Sequence, residues 1–164
     1  MYRDTYIEIN VDHLQNNVRE IIRKYPEYQY YFGIVKGNAY GHSDKIAKYL
    51  VECGINYFAV ASLEEAMSLR KDGITIPILC LEPIDIEFLD ICINNNITIT
   101  VHSMEYFKQL IQKEIQKPLK IHLKIDSGLC RLGFNNKDEI KLVVDELRKK
   151  PNVFLEGIFT HFAT

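Results

Sequence analysis

The chain has 164 residues and a mass of 19.2 kDa, with 47% hydrophobic and 26% charged residues. That balance suits one globular domain with a real core and excludes a disordered tail, a collagen-like fibre or a disulfide-stapled mini-protein. Lys+Arg of 20 against Asp+Glu of 22 gives a formal net charge of -2, so no broad basic field is present to neutralise nucleic-acid phosphates. No apolar run is long enough to span a bilayer, and the opening Met1-Tyr2-Arg3-Asp4-Thr5 lacks a signal-peptide core.

Thr5 to Asn10 (TYIEIN) alternates apolar and polar residues and predicts a first strand. Asp12 is a candidate cap for a helix with Leu14, Val18, Ile21, Ile22 and Tyr25 on one side, ended by Pro26. Tyr30 to Lys36 predicts a strand, and Asp44 to Cys53 a helix burying Ile46, Ala47, Tyr49 and Leu50. Tyr57 to Ala61 reads as a strand, Leu63 to Lys71 as a helix, Pro77 to Leu81 as a short strand and Asp85 to Ile93 as a helix. Ile97 to Val101 (ITITV) is a strand; Met104 to Ile115 is a helix with Met104, Phe107, Leu110, Ile111 and Ile115 inward. Leu119 to Ile125 (LKIHLKI) is a strand, Asp138 to Lys149 a helix, and Val153 to Phe159 a last strand.

Strict β-then-α alternation predicts an α/β fold with parallel strands and right-handed crossovers. Two architectures satisfy it: an open doubly wound sheet with a ligand crevice at a reversal of strand order, or a β/α barrel, which needs eight strands. Six strands make an incomplete barrel. The sequence stops straight after an apolar strand, with no helix to cover it, so the chain is expected to be a piece of a longer protein.

The cysteines Cys53, Cys80, Cys92 and Cys130 form no C-x-x-C pair, and the first three lie among apolar neighbours, as buried free thiols do. The five histidines lack zinc-ligand spacing, so no metal site is expected. There is no G-x-G-x-x-G and no Walker sequence. Lys36 ends a strand, where open α/β sheets and barrels place functional groups. Apolar flanks desolvate its amine and favour the neutral, nucleophilic form; a solvated strand-end lysine is the plainer alternative. In the strand 119–125, period-2 alternation puts Ile121, Leu123 and Ile125 on one face and His122, Lys124 and Asp126 on the other. That charged face is either paired inside a site or is the wet side of an edge strand. Arg131, in the glycine-punctuated run Ser127-Gly128-Leu129-Cys130-Arg131-Leu132-Gly133, is either a bidentate clamp for a carboxylate or other oxyanion or a plain surface arginine. His161 follows the last strand.

Four stretches taken together resemble the alanine racemases, pyridoxal-phosphate (PLP) enzymes of fold type III. They are Arg3-Asp4-Thr5, the run Val35-Lys36-Gly37-Asn38-Ala39-Tyr40-Gly41-His42, the run Lys124 to Gly133, and Leu155 to Ala163. The resemblance implies a partial TIM-type (β/α) barrel, with about six of eight strands in a parallel sheet. It implies that residues 1–164 are a truncated N-terminal PLP-binding domain whose C-terminal β domain is absent. Lys36 matches the lysine that holds PLP covalently and acts as one of two racemising bases. Tyr40 matches a tyrosine that binds the cofactor phosphate. Arg131 matches the arginine near the cofactor's phenolic oxygen and the substrate carboxylate. Lys124 matches a lysine often carbamylated in the family, which orients that arginine, and His161 matches a histidine beside the pyridine ring. Gly37 stands where alanine is usual and Ser43 where glycine is common; neither removes a role.

The implied activity is conversion of L-alanine to D-alanine for peptidoglycan by a cytoplasmic homodimer whose partner is a small amino-acid substrate, with no nucleic acid and no membrane involved. The second base, a tyrosine of the missing domain, has no substitute here, so the 164-residue chain alone is expected to be inactive. Alternatives are a serine or other amino-acid racemase, a non-catalytic PLP-binding barrel, or a purely structural fragment.

Overall fold

A computed structural model describes residues 5–163 of the protein. Six strands, β1 (Phe32–Ile34), β2 (Tyr57–Val60), β3 (Ile78–Cys80), β4 (Ile97–Val101), β5 (Leu119–Ile125) and β6 (Val153–Thr160), follow one another in the sheet in sequence order. The β1/β2, β4/β5 and β5/β6 ladders are parallel. Each connection carries a helix: Ala47–Glu52, Leu63–Lys71, Leu89–Asn94, Met104–Gln112 and Lys137–Leu147. A strand that always neighbours its predecessor leaves no reversal of order, so the doubly wound alternative falls. The fold is α/β, with six parallel strands on the path of a partial TIM-type (β/α) barrel.

The chain divides into two compact units, Met1–Ile78 and Leu79–Thr164. In the first, helix α1 (Val11–Lys24) is capped by Asn10, whose Oδ1 accepts from the His13 N–H at 2.9 Å. Asp12 is not the cap; it lies in the first turn, where its charge meets the positive end of the helix dipole. The strand expected over Thr5 to Asn10 does not form. Alternation alone makes no strand without a neighbouring edge to bond, and Tyr6 and Ile7 are each 71% exposed. Arg3 and Asp4 of the expected motif lie outside the described residues. Tyr57, Phe58, Ala59, Val60, Ala66 and Leu69 form the buried centre of this unit. Gly33 is needed beside them, because a Cβ there would come within 2.7 Å of the Phe58 ring.

In the second unit, β4 and β5 are buried almost throughout, as are Phe107, Leu110, Val143 and Leu147 of the helices. The Thr100 hydroxyl donates to the Cys80 carbonyl at 2.6 Å, so this buried polar group is satisfied. The helix from Met104 stops at Gln112 rather than Ile115 because the chain turns extended at Lys113, and the Ile115 carbonyl accepts from Asn152 Nδ2 at 2.8 Å instead. Cys53, Cys80 and Cys92 are buried free thiols and Cys130 is exposed. Burial pushes the Cys92 thiol up to about 11, which keeps it protonated and inert.

Core packing of the second unit makes one test straightforward. Leu110 is fully buried and Leu142 is 57% exposed. Leu110→Ala is expected to cost about 2–5 kcal/mol in urea unfolding, and Leu142→Ala to change it by no more than about 0.5 kcal/mol.

Candidate active site

The chain leaves β1 through buried Val35 and reaches Lys36, whose side chain is half-buried. It then turns the wrong way for L-residues. Gly37, Asn38, Ala39 and Tyr40 have φ of 62°, 53°, 52° and 54°, all left-handed. Glycine adopts that region freely and asparagine tolerates it, but alanine and tyrosine do so at a cost of roughly 1–2 kcal/mol each. Such strain persists only where the surroundings over-determine it. Here the Ala39 N–H donates to the Val35 carbonyl at 2.8 Å, the Ser43 N–H to Asn38 O at 3.0 Å and the Asp44 N–H to Asn38 Oδ1 at 2.9 Å. Ala39 is buried. The tight coil brings Tyr40 back over the lysine, with Lys36 Nζ 6.0 Å from the ring centroid. These two candidate residues are therefore brought together, at the carboxyl end of β1.

A residue that sequence reasoning missed completes this arrangement. Ser62 caps helix Leu63–Lys71, its Oγ accepting from the Glu65 N–H. Glu65 Oε1 accepts from the Gly37 N–H at 2.6 Å, and Oε2 accepts from the Ala61 N–H, just past β2, at 2.8 Å. One carboxylate thus joins the segments that follow β1 and β2. The signal was present as Ser62-x-x-Glu65, the spacing of a capping box. What the spacing does not reveal is that the glutamate reaches beyond its own cap to a second strand end. The Ser68 hydroxyl, on the same helix, donates to Asp44 Oδ2 at 3.1 Å.

In the second unit the polar face of β5 is buried rather than wet: His122 is 7% and Lys124 6% exposed. Glu156 of β6 answers it. Its Oε2 lies 3.2 Å from His122 Nε2 and its Oε1 2.6 Å from Lys120 Nζ. Burial holds the His122 imidazole below the usual histidine range, against the pull of Glu156 in the other direction. Gly157 leaves room for this ring, since a Cβ there would come within 2.8 Å of it. Lys124 donates to the Ile125 carbonyl at 3.1 Å and stands 5.3 Å from the Phe159 ring centroid. Burial and the nearby Arg131 charge push its amine below the usual lysine range, with Asp126 opposing.

Asp126 faces no buried site. Its Oδ1 accepts from the Gly128 and Cys130 N–H groups, both at 3.0 Å, and those bonds hold its carboxyl below the usual range. It shapes the loop that presents Arg131, which is exposed. The Thr160 hydroxyl donates to the Ile125 carbonyl at 2.9 Å and lies 2.7 Å from Ser127 Oγ. These contacts join the end of β6, where exposed His161 follows, to the start of the Arg131 loop. Lys124, Arg131 and His161 are thus collected at the carboxyl ends of β5 and β6. Among the described residues no group of three His, Cys, Asp or Glu side chains could hold a metal ion, and no helix is long and apolar enough to cross a membrane.

Sequentially ordered parallel strands joined by helices, with the candidate side chains at their carboxyl ends, define an α/β protein of the β/α-barrel class. The comparisons narrow this to a family. The family model described as "Alanine racemase, N-terminal domain" matches residues 9–164, and the chain belongs to that family. It is 41% identical over 165 residues to "Alanine racemase 2" of Caldanaerobacter subterraneus subsp. tengcongensis, covering 99% of this chain and 42% of the relative. Among solved structures, alanine racemase from Bacillus anthracis with bound L-Ala-P matches at a TM-score of 0.89 and 38% identity, over 100% of this chain and 43% of that one. A histidine racemase from Leuconostoc mesenteroides subsp. sake matches at a TM-score of 0.89 and 26% identity, over 99% of this chain and 44% of that one. The chain spans about two fifths of the length of the curated relatives it matches.

Burial of His122, and of His102 after β4, fixes a sign for the pH dependence of stability. Both imidazoles are held below 6.5 in the folded chain and regain about that value on unfolding. The unfolded state then binds protons first as the pH falls, so the stability is whole above pH 6.5 and is lost as pH drops toward the folded values. Urea unfolding between pH 8 and pH 5 is expected to show that decline, with a shallower slope for His122→Asn. An unchanged slope in the variant contradicts the assignment to His122.

Proposed function

We propose that the chain is the PLP-binding β/α portion of an amino-acid racemase that interconverts L- and D-alanine. The observation that carries this reading is the half-buried Lys36 amine at the end of β1 with Tyr40 coiled back beside it, in a chain of the alanine racemase family. The residues suit PLP. A lysine amine to bind an aldehyde and a tyrosine hydroxyl to bind its phosphate project from one turn, which is tied by the Gly37–Glu65 bond and by bonds within itself. When bound, PLP supplies the electron sink that eases removal of the Cα proton. Lys36 binds the cofactor and carries that proton on one face of the substrate. Tyr40 binds the phosphate. Arg131 binds the carboxylate and, with His161, lines the cofactor. Burial and the nearby Arg131 charge push the Lys124 amine below the usual lysine range, toward the neutral form that carbamylation by CO₂ requires; the resulting anion orients Arg131.

The base for the opposite face comes from a C-terminal β domain of the whole protein, which acts as a cytoplasmic homodimer and supplies D-alanine for peptidoglycan. Alanine is favoured as substrate by the names of the relatives. The similarity to a histidine racemase supports a second reading, in which the same scaffold serves a larger amino acid.

Incubation with PLP followed by borohydride reduction and peptide mapping tests the cofactor role. The label is expected on Lys36, with a visible-edge absorbance band that Lys36→Ala abolishes; a label spread over surface lysines and unchanged by that substitution overturns it. Turnover of L-alanine, L-serine and L-histidine by the whole protein separates the substrates, and preference for L-histidine or L-serine overturns the alanine assignment.

A further inference from the structure

We infer that Glu65 is a positioning residue for the Lys36 amine, its carboxylate fixing the left-handed turn in the one orientation that presents the lysine; the inference rests on the proposed role of Lys36. Most bonds that stabilise the turn are internal to residues 35–44, as between Ala39 and Val35, Ser43 and Asn38, or Asp44 and Asn38. Internal bonds keep a turn coiled, but they rotate with it and do not aim it. Aiming needs a tie to another element. Two side-chain ties reach helix Leu63–Lys71: Ser68 to Asp44, at the far end of the segment, and Glu65 to Gly37, directly beside the lysine.

The Glu65 tie acts on the peptide that joins Lys36 to Gly37. Holding its N–H at 2.6 Å from a carboxylate oxygen fixes ψ of Lys36 and φ of Gly37 together, and with them the direction in which the lysine side chain leaves the backbone. The second oxygen, 2.8 Å from the Ala61 N–H, anchors the carboxylate to the end of β2. Both are charge-assisted bonds at the short end of the range. Among the described residues Glu65 makes no ion pair, so its charge is directed to two backbone amides. The geometry also explains the residue type. Two N–H donors demand two acceptors, which glutamine lacks because one of its termini is an NH₂ donor. Aspartate is one methylene short of the span.

The test compares the full chain with Glu65→Gln and Glu65→Asp, using a probe that needs no cofactor beside one that does. Amide hydrogen exchange at Gly37 is expected to speed up about tenfold in Glu65→Gln, the size expected for loss of one charge-assisted bond. Acetylation of Lys36 by a small N-hydroxysuccinimide ester should rise, because the freed lysine is more exposed, while its labelling by PLP and borohydride should fall about tenfold. Opposite signs are the signature of positioning; general loosening raises both rates. Unchanged Gly37 exchange, or both labelling rates moving up together, overturns the inference. If wild-type Lys36 takes no PLP label at all, the proposed function fails by itself, and Glu65 is then judged on Gly37 exchange and acetylation, with no change in either overturning it. Glu65→Asp should behave as Glu65→Gln does; full retention of wild-type rates in it counts against the two-acceptor geometry.

Discussion

A glutamate carboxylate shared between the Gly37 and Ala61 amides is the contact on which the proposed orientation of Lys36 depends. The turn it holds is unfavourable by itself. Alanine and tyrosine in the left-handed region cost roughly 1–2 kcal/mol each, a sizeable share of the 5–15 kcal/mol by which a domain is stable. The gain is geometric. A left-handed coil places residues 36 and 40 back on one another in a short span, with Lys36 Nζ 6.0 Å from the Tyr40 ring centroid. An ordinary loop of the same length would leave two long side chains to be ordered by whatever they bind.

The second unit solves a different problem. It buries a histidine and a lysine on one face of β5, which is costly unless they are answered. Glu156 answers His122 through hydrogen bond and charge. Among the described residues Lys124 has no such acid within bonding distance and meets a carbonyl and an aromatic face instead. Its depressed pKa follows from that choice of surroundings. A shift in that direction favours the neutral amine, and this links the packing of β5 to the proposed carbamylation.

Much of the architecture was legible in the sequence because β2, β3, β4 and most of β5 are buried on both faces and stand out as short apolar runs. Leu63–Lys71, Ile97–Val101 and Leu119–Ile125 have the expected bounds. The strand order could not be read, because alternation is common to doubly wound sheets and barrels; the ladders decided it. The segment Thr5 to Asn10 misled because periodicity reports a potential face and not a partner. At the candidate site, Lys36 and Tyr40 were singled out by their motif, but the left-handed backbone was not. Ala39 and Tyr40 carry no conformational signal for positive φ, and the bonds that hold them come from residues as distant as Glu65.

The claim most exposed to test is that the turn after Lys36 is set by the protein before any ligand binds. Solution NMR of the chain without cofactor reads it directly, since a residue with positive φ brings its own amide and α protons close together. Strong intraresidue amide-to-α contacts at each of Asn38, Ala39 and Tyr40 are the predicted result. Weak, averaged contacts at those three residues, becoming strong only when PLP is added, would contradict it.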